Sequence, residues 1–309
     1  MGIVIFGSIN MDLIVRLPRQ PERGETLIGH SFFTAAGGKG ANQAVAAARL
    51  GAPTQIIGRL GNDVFGASLR ATLQADGIDD CAVISDAQQP SGVALITVDD
   101  QAENRIVVIP GANGAIGSDD LARLDHALAD ARFLLLQLEI PLAMVVAAAK
   151  LARGRGVTVI LDPAPACPLP PELYPLIDIL TPNEGEAAML VNSTNSQIDP
   201  TQAATVLLAR GVGSVIIKMA DRGVYWADGT TQQFLPAFAV QAVDTVAAGD
   251  AFNGALAAAL WHNQPFAEAI RWGLAAGALA VTKPGAQPAL PYHAEVMALL
   301  DAESAPIHS

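Results

Sequence analysis

Two cysteines in 309 residues, Cys81 and Cys167, are too few and too far apart for a disulfide framework or a thiolate metal site. A reducing compartment, the cytoplasm, fits that usage. Charge is scarce too: charged residues make up 16% of the chain against 51% hydrophobic, which excludes disorder and demands a large core. Basic residues are the scarcer sign. The formal net charge is −12 and no Lys/Arg run occurs, so nucleic acid and anionic membrane are poor partners. No apolar run reaches membrane-spanning length, and residues 1–4 enter a strand pattern without a basic leader. His30, His126, His262, His293 and His308 share no ligand spacing and read as surface or boundary residues. Trp226, Trp261 and Trp272 read as packing. The chain has no Gly-x-x-x-x-Gly-Lys-Ser/Thr loop, no complete Gly-x-Gly-x-x-Gly and no serine-nucleophile elbow.

What remains is alternation. Apolar strand patterns at residues 2–9, 54–58, 133–138, 157–161, 177–180 and 215–218 alternate with helical patterns at 44–50, 64–75, 142–153 and 201–210. Ser118 is a candidate N-cap for a further helix to residue 130, and residues 225–234 form a hairpin around Asp228-Gly229. Helices at 251–262, 266–281 and 294–300 close the chain. This order predicts an α/β fold with a mostly parallel sheet covered by helices on both faces, in one domain over 1–309. Strand patterns at 13–17, 26–34, 92–98 and 105–109 break the alternation, the last two around a polar turn at 99–104. Segments 11–34 and 92–109 are expected to form a small sheet that lies over the crevice as a lid.

The chain is organised around Asp244-Thr245-Val246-Ala247-Ala248-Gly249-Asp250-Ala251-Phe252-Asn253-Gly254. An apolar helical run follows, so residues 247–250 open a helix. Small residues pack tightly there, and Gly249 is free to take torsions closed to other residues. Free N–H groups at the positive end of a helix dipole suit phosphate oxygens. A carboxylate at that point, Asp250, would repel a resting phosphate and is better placed to take a proton from an attacking hydroxyl. Anion hole plus base is the minimum for phosphoryl transfer. One Asp before a helix is more often a cap; two Asp flanking Ala-Ala-Gly favour the catalytic reading.

Other segments supply polar groups in the same order along the chain. Asn10 and Asp12 follow the first strand, where side chains reach a ligand crevice or simply make a turn. Gly37-Gly38-Lys39-Gly40-Ala41-Asn42-Gln43 lets backbone approach a ligand while Lys39 and Asn42 donate. Glu139 ends an apolar strand and needs a partner, which sugar hydroxyls could supply. Asn183-Glu184-Gly185-Glu186 opens a helix and puts an amide and a carboxylate on one turn, where Glu186 alone would read as favouring the dipole.

The run from Gly37 through Ala48-Arg49-Leu50-Gly51 and the Asp244–Gly254 stretch resemble the two signatures of the PfkB-type (ribokinase) family of sugar kinases. The resemblance spans nearly the whole chain, from Gly7-Ser8-Ile9-Asn10-Met11-Asp12 through Gly285-Ala286-Gln287-Pro288. It implies a ribokinase-like three-layer sandwich with a small β-sheet lid, and transfer of phosphate from ATP to the 5-hydroxyl of D-ribose. It implies that Asn10, Asp12, Gly38, Lys39, Gly40, Asn42, Glu139 and Asp250 meet the sugar. Asn183, Gly249 and the turn Lys218-Met219-Ala220-Asp221-Arg222-Gly223 would face ATP, with glycine commoner where Ala220 stands. Amides of residues 247–250 (Ala247, Ala248, Gly249 and Asp250) would form the anion hole, and the Asp250 carboxylate would be the base. Glu186 would hold Mg²⁺ through water. Asp244 and carbonyls of Val246, Ala280, Lys283 and Gly285 would hold K⁺, with Ala289 where relatives carry serine. A homodimer joined through the lid is implied as well. Alternatives are a sibling kinase for deoxyribose or a nucleoside, and a sugar sensor without turnover.

Overall fold

The computed structural model describes residues 2–101, 103–193 and 198–304. Met1, Ala102 in the expected 99–104 turn, and His308 lie outside them. The first half runs β1 (Gly2–Phe6), β2 (Asn10–Arg16), β3 (Ser31–Gly37), α1 (Lys39–Arg49), β4 (Thr54–Gly61), α2 (Val64–Ala75), β5 (Val83–Asp86), β6 (Gly92–Val98), β7 (Asn104–Ile109), α3 (Ser118–Ala127), β8 (Ala131–Leu136) and α4 (Leu142–Gly154). The second runs β9 (Thr158–Leu161), β10 (Ile179–Leu180), α5 (Glu184–Leu190), α6 (Pro200–Ala209), β11 (Ser214–Lys218), β12 (Val224–Asp228), β13 (Gln232–Leu235), α7 (Ala248–Trp261), α8 (Phe266–Ala280) and α9 (His293–Ser304).

The main sheet has the order β13-β12-β11-β10-β9-β8-β1-β4-β5, parallel from β11 to β5 with an antiparallel β11-β12-β13 edge. Its strands are apolar at successive positions because both faces are covered. Alternation sends Ile3, Ile5, Ile56, Leu135, Ile160 and Ile216 to one face, packed by residues of α1, α2, α7, α8 and α9. Val4, Phe6, Ile57, Leu134, Leu136, Val159 and Ile217 go to the other, under α3 to α6. Three layers result, as expected.

The lid is also as expected, a separate four-stranded sheet in the order β3-β2-β6-β7. Its cross-strand register puts Asp12, Ile14, Phe33, Ala35, Ala94, Ile96, Ile106 and Val108 on one face. Phe32, Leu95, Val107 and Ile109 lie on the other, and all four are exposed. Exposed apolar residues therefore occur on both faces of the lid, since Phe33, Ile106 and Val108 are exposed too.

Several boundaries move. Residues 26–30 are not strand: the N–H of His30 closes on the Arg16 carbonyl at the end of the β2–β3 ladder, and Ile28 beyond it finds nothing to pack on. Helix α1 begins at Lys39, so Lys39, Asn42 and Gln43 sit on a helix face rather than in a loop. Gly117, not Ser118, caps α3, its N–H donating to Asp120. The strand expected over 133–138 ends at Leu136, so Gln137 follows β8. At the head of α7 the left-handed residue is Ala247, with φ 61°, not Gly249.

Candidate active site

Parallel strands deliver their carboxyl ends to one edge of the sheet, and the polar residues collect there. Ser8 follows β1, Gln137 and Glu139 follow β8, Asp162 follows β9, Asn183 follows β10, and Lys218 ends β11. The lid rises from the same edge on β2 and β6.

One end of the crevice is built from β2, the turn into α1 and the segment after β8. Asn10 and Asp12 are both buried. Asn113 Nδ2 donates to Asn10 Oδ1 at 2.7 Å and to the Ile9 carbonyl, fixing the Asn10 amide. Glu139 Oε2 accepts from Ser8 Oγ at 2.5 Å, from the Lys39 N–H at 3.1 Å and from Asn10 Nδ2 at 3.5 Å. Glu139 thus has protein partners and braces the glycine-rich turn, whatever else meets its second oxygen. Gly38 carries φ 87°, and a Cβ there would sit 2.6 Å from the Asn10 nitrogen, so this turn admits glycine alone. Asp12 is pushed up to about 7 by burial first, then by the charges of Glu139 and Asp250.

Asp250 lies on the first turn of α7 and is buried. Asn42 Nδ2 donates to its Oδ2 at 2.9 Å and Gln43 Nε2 to its Oδ1 at 3.2 Å. Burial raises its pKa, the Lys39 ammonium pulls it back, and Asp162 raises it again; the net direction is up. Burial would lower Lys39, yet Asp250, Asp162, Glu139 and Glu186 together hold its ammonium above the usual lysine range. A carboxylate with raised pKa, held by two amides at a helix N-terminus beside a cation, can accept a proton from a hydroxyl while the helix end takes negative charge.

The other end carries the Lys218–Gly223 turn, expected from the sequence to face ATP. Met219 is buried, whereas Ala220, Asp221 and Arg222 are exposed and Gly223 closes the turn onto β12. Ala220 adopts φ 51°, the left-handed conformation for which glycine is favoured. Lys218 Nζ pairs with Asp162 Oδ1 at 2.9 Å. A Cβ at Gly249 would lie 3.3 Å from that ammonium, a tight contact that the flexible Lys218 side chain can relieve by a small shift. Gly249 lies inside α7 and does not use a positive φ. Asn183 caps α5 and forms a reciprocal box with Glu186: Glu186 N–H donates to Asn183 Oδ1, and Asn183 N–H and Nδ2 donate back. Burial raises Glu186, Lys218 opposes this and Asp162 adds to it.

Asp244 bridges two loops: Val246 N–H donates to its Oδ1 at 3.0 Å and Gly285 N–H to its Oδ2 at 2.9 Å. Val281, just past Ala280, accepts the Val243 and Asp244 N–H groups, so residues 243–246 and 280–285 run side by side. Among the described residues no cluster of three or more His, Cys, Asp or Glu side chains forms a metal cage. Ala289 is fully buried nearby.

Sequence reasoning missed Gln43, Asn113, Gln137 and Asp162, all buried and all hydrogen-bonded in this crevice. Asp162 was legible in principle: an acidic residue directly after an apolar strand in an alternating chain stands at the crevice edge. Asn113, in a short 3₁₀ turn, gives no such signal.

The model of the family described as pfkB family carbohydrate kinase matches residues 2–292. A ribokinase of Haemophilus influenzae is 41% identical over 300 residues, covering 97% of this chain and 98% of that one. The crystal structure of ribokinase from Thermotoga maritima superposes with a TM-score of 0.90 at 36% identity, covering 97% and 99% of the two chains. Arabidopsis thaliana ribokinase complexed with ribose and ATP gives 0.89 at 35% identity, covering 97% and 98%.

Proposed function

The chain belongs to the pfkB family of carbohydrate kinases, and from that premise we propose that it transfers the γ-phosphoryl group of ATP to the 5-hydroxyl of D-ribose. The observation that carries this reading is Asp250, buried on the first turn of α7 and held by Asn42 and Gln43. Asn10, Asp12, Gly38, Gly40, Asn42 and Glu139 bind the sugar, with the Lys39 ammonium beside them. Asp250 takes the proton of the 5-hydroxyl as its oxygen bonds to the γ-phosphorus. The bond from that phosphorus to the β,γ-bridging oxygen breaks, and ADP leaves with the oxygen. Amides of residues 247–250 and the Lys218 ammonium face the charge on the transferring group, the Ala248 N–H turning from the Thr245 carbonyl it meets at 3.4 Å. ATP lies along Asn183 and the 218–223 turn, where exposed Ala220 and Asp221 leave room for a base. The lid excludes water, which otherwise competes as acceptor.

Two cations fit the residues present. Glu186 keeps lone pairs beyond its bonds to Asn183 and can hold Mg²⁺ through water. Asp244 is braced between the two loops that carry the carbonyls of Val246, Ala280, Lys283 and Gly285, the set that would hold K⁺. When bound, Mg²⁺ offsets phosphate charge and K⁺ adds positive potential behind the anion hole. A cytoplasmic homodimer joined through the lid completes the reading; no described helix is long and apolar enough to cross a membrane.

A coupled assay of ADP release across pentoses, hexoses, 2-deoxyribose and nucleosides tests it. Ribose should give the highest kcat/KM. A nucleoside or hexose preferred over ribose by tenfold or more overturns the substrate, and ribose binding with no ADP release overturns the kinase.

A further inference from the structure

Asp250 does not stand alone: one side chain, Gln43, ties it to a second buried carboxylate. Gln43 Nε2 donates to Asp250 Oδ1 at 3.2 Å and to Asp162 Oδ2 at 3.0 Å, one N–H for each. Gln43 Oε1 accepts from Gln137 Nε2 at 2.6 Å. The reversed amide would set its oxygen against two carboxylates and its NH₂ against another NH₂, so the orientation is fixed by charge. Holding it has a cost. Gln137 Oε1 lies buried without a hydrogen-bond partner, packed over Gly7, where a Cβ would approach it to 2.1 Å. The far oxygen of Asp162 takes the Lys218 ammonium, which also adjoins Gly249 at the head of α7. A chain of contacts therefore runs from the phosphate end to the base: Lys218, Asp162, Gln43, Asp250.

We propose that Gln43 and Asp162 are positioning residues for the base: the Gln43 amide fixes which Asp250 oxygen faces the sugar hydroxyl, and the Asp162 carboxylate, balanced by Lys218, strengthens that base. This rests on the reading of Asp250 as general base. A carboxylate turns freely about its last torsion unless both oxygens are held. Asn42 holds one oxygen and Gln43 the other, from adjacent positions on α1, so both α1 contacts are needed to set the plane. Charged groups acting on Asp250 come from every side: Lys39 on α1, Asp162 after β9 and Asp12 on the lid, with Lys218 acting through Asp162. Of these, Asp162 alone is joined to Asp250 through a shared hydrogen-bond donor.

The test uses Gln43→Met, which keeps length and removes both donors, and Asp162→Asn, which keeps an acceptor and removes the charge. Each is compared with wild type and Asp250→Asn at saturating ATP and ribose, over pH 5 to 9. Gln43→Met should lose about 10- to 100-fold in kcat with the ribose KM within about threefold, the scale of a misplaced reacting group. Asp162→Asn should move the acid limb of kcat to lower pH, because a negative neighbour of the base has gone. A merely structural role would leave that limb where it is. An unmoved limb in Asp162→Asn, or a Gln43→Met kcat within threefold of wild type, overturns the inference while an inactive Asp250→Asn keeps the function. An active Asp250→Asn overturns both. Thermal melts of both variants show whether a lost rate is lost folding: Lys218→Met/Asp162→Asn, with the pair neutral, should melt higher than Lys218→Met, and equal melting overturns the Lys218–Asp162 balance.

Discussion

Asn42 and Asp250 are 208 positions apart in the chain, and the amide of the first donates to the carboxylate of the second across 2.9 Å. That contact joins the first turn of α1 to the first turn of α7 and makes one site of two distant segments. Replacing Asp250 by Asn keeps volume and hydrogen bonding but removes the proton acceptor. Turnover should fall by about 10²- to 10⁴-fold, the usual scale of a lost general base, with ribose binding retained in calorimetry. A variant with a third of wild-type turnover rules the assignment out.

If Asp12 binds the sugar as proposed, both sugar binding and stability should respond to pH through it. Its carboxyl titrates near about 7 in the folded chain against 3.8 for the ordinary group. Between those values the folded protein keeps a proton that the unfolded chain gives up. Stability is therefore fully present below the lower value, falls as pH rises, and levels off above the higher one. The ribose KM should drop as pH rises through about 7, because an ionised acceptor makes the stronger hydrogen bond. The ATP KM should stay flat. Asp12→Asn should flatten both the melting profile and the ribose profile; a pH-dependent ribose KM surviving in that variant assigns the titration elsewhere.

Ala220 holds a conformation that its side chain opposes, φ 51° in the turn between β11 and β12. Left-handed torsions cost a non-glycine residue about 1–2 kcal/mol, and the freer unfolded glycine chain returns part of that. Ala220→Gly should stabilise the protein by about 0.5–1 kcal/mol, raising Tm by roughly 1–3 °C. Calorimetry reads this directly, and a lowered Tm would show the turn to be unstrained.

Which parts of this were readable beforehand follows from how local their physics is. The doubly covered sheet could be read because strands apolar at every position and amphipathic helices alternate along the chain. Helix α2 begins and ends where its pattern does. The start of α1 was misjudged because Gly38 and Gly40 read as loop, whereas Gly38 is the left-handed N-cap and Gly40 is inside the helix. Asp250, Asn42 and Lys39 were legible as motif residues. Gln43 stood in the same motif without an assigned role and Asp162 stood in none: their pairing depends on β9 lying two strands from β1, a fact of sheet order.

The lid leaves Phe32, Leu95, Val107 and Ile109 exposed on one face, and apolar residues clustered on an exposed sheet invite a partner. Sedimentation at micromolar concentration should give twice the mass of one chain. Val107→Asp should shift the protein to monomer, and a wild-type monomer refutes association through the lid.

Ala289 offers a gain-of-function test beside Asp244. It is fully buried, so a hydroxyl placed there by Ala289→Ser must find a partner, and a bound cation would be one. K⁺ should activate both proteins, at a lower half-saturating concentration in Ala289→Ser. The titration runs at constant ionic strength with a bulky organic cation as replacement. Equal K⁺ dependence would mean that the hydroxyl is irrelevant; none in either protein would leave Asp244 as a brace between loops.

The late position of α7 bears on how the protein is made. This helix fills the middle of one face of the sheet, against α1 and α8, over strands that leave the ribosome far earlier. A nascent chain halted before Ala248 has its lid strands and sugar-facing residues but leaves Ile3, Ile5, Ile56 and Leu135 without that cover. On the proposed reading such a chain lacks its base as well, because the helix that covers this part of the core also carries Asp250.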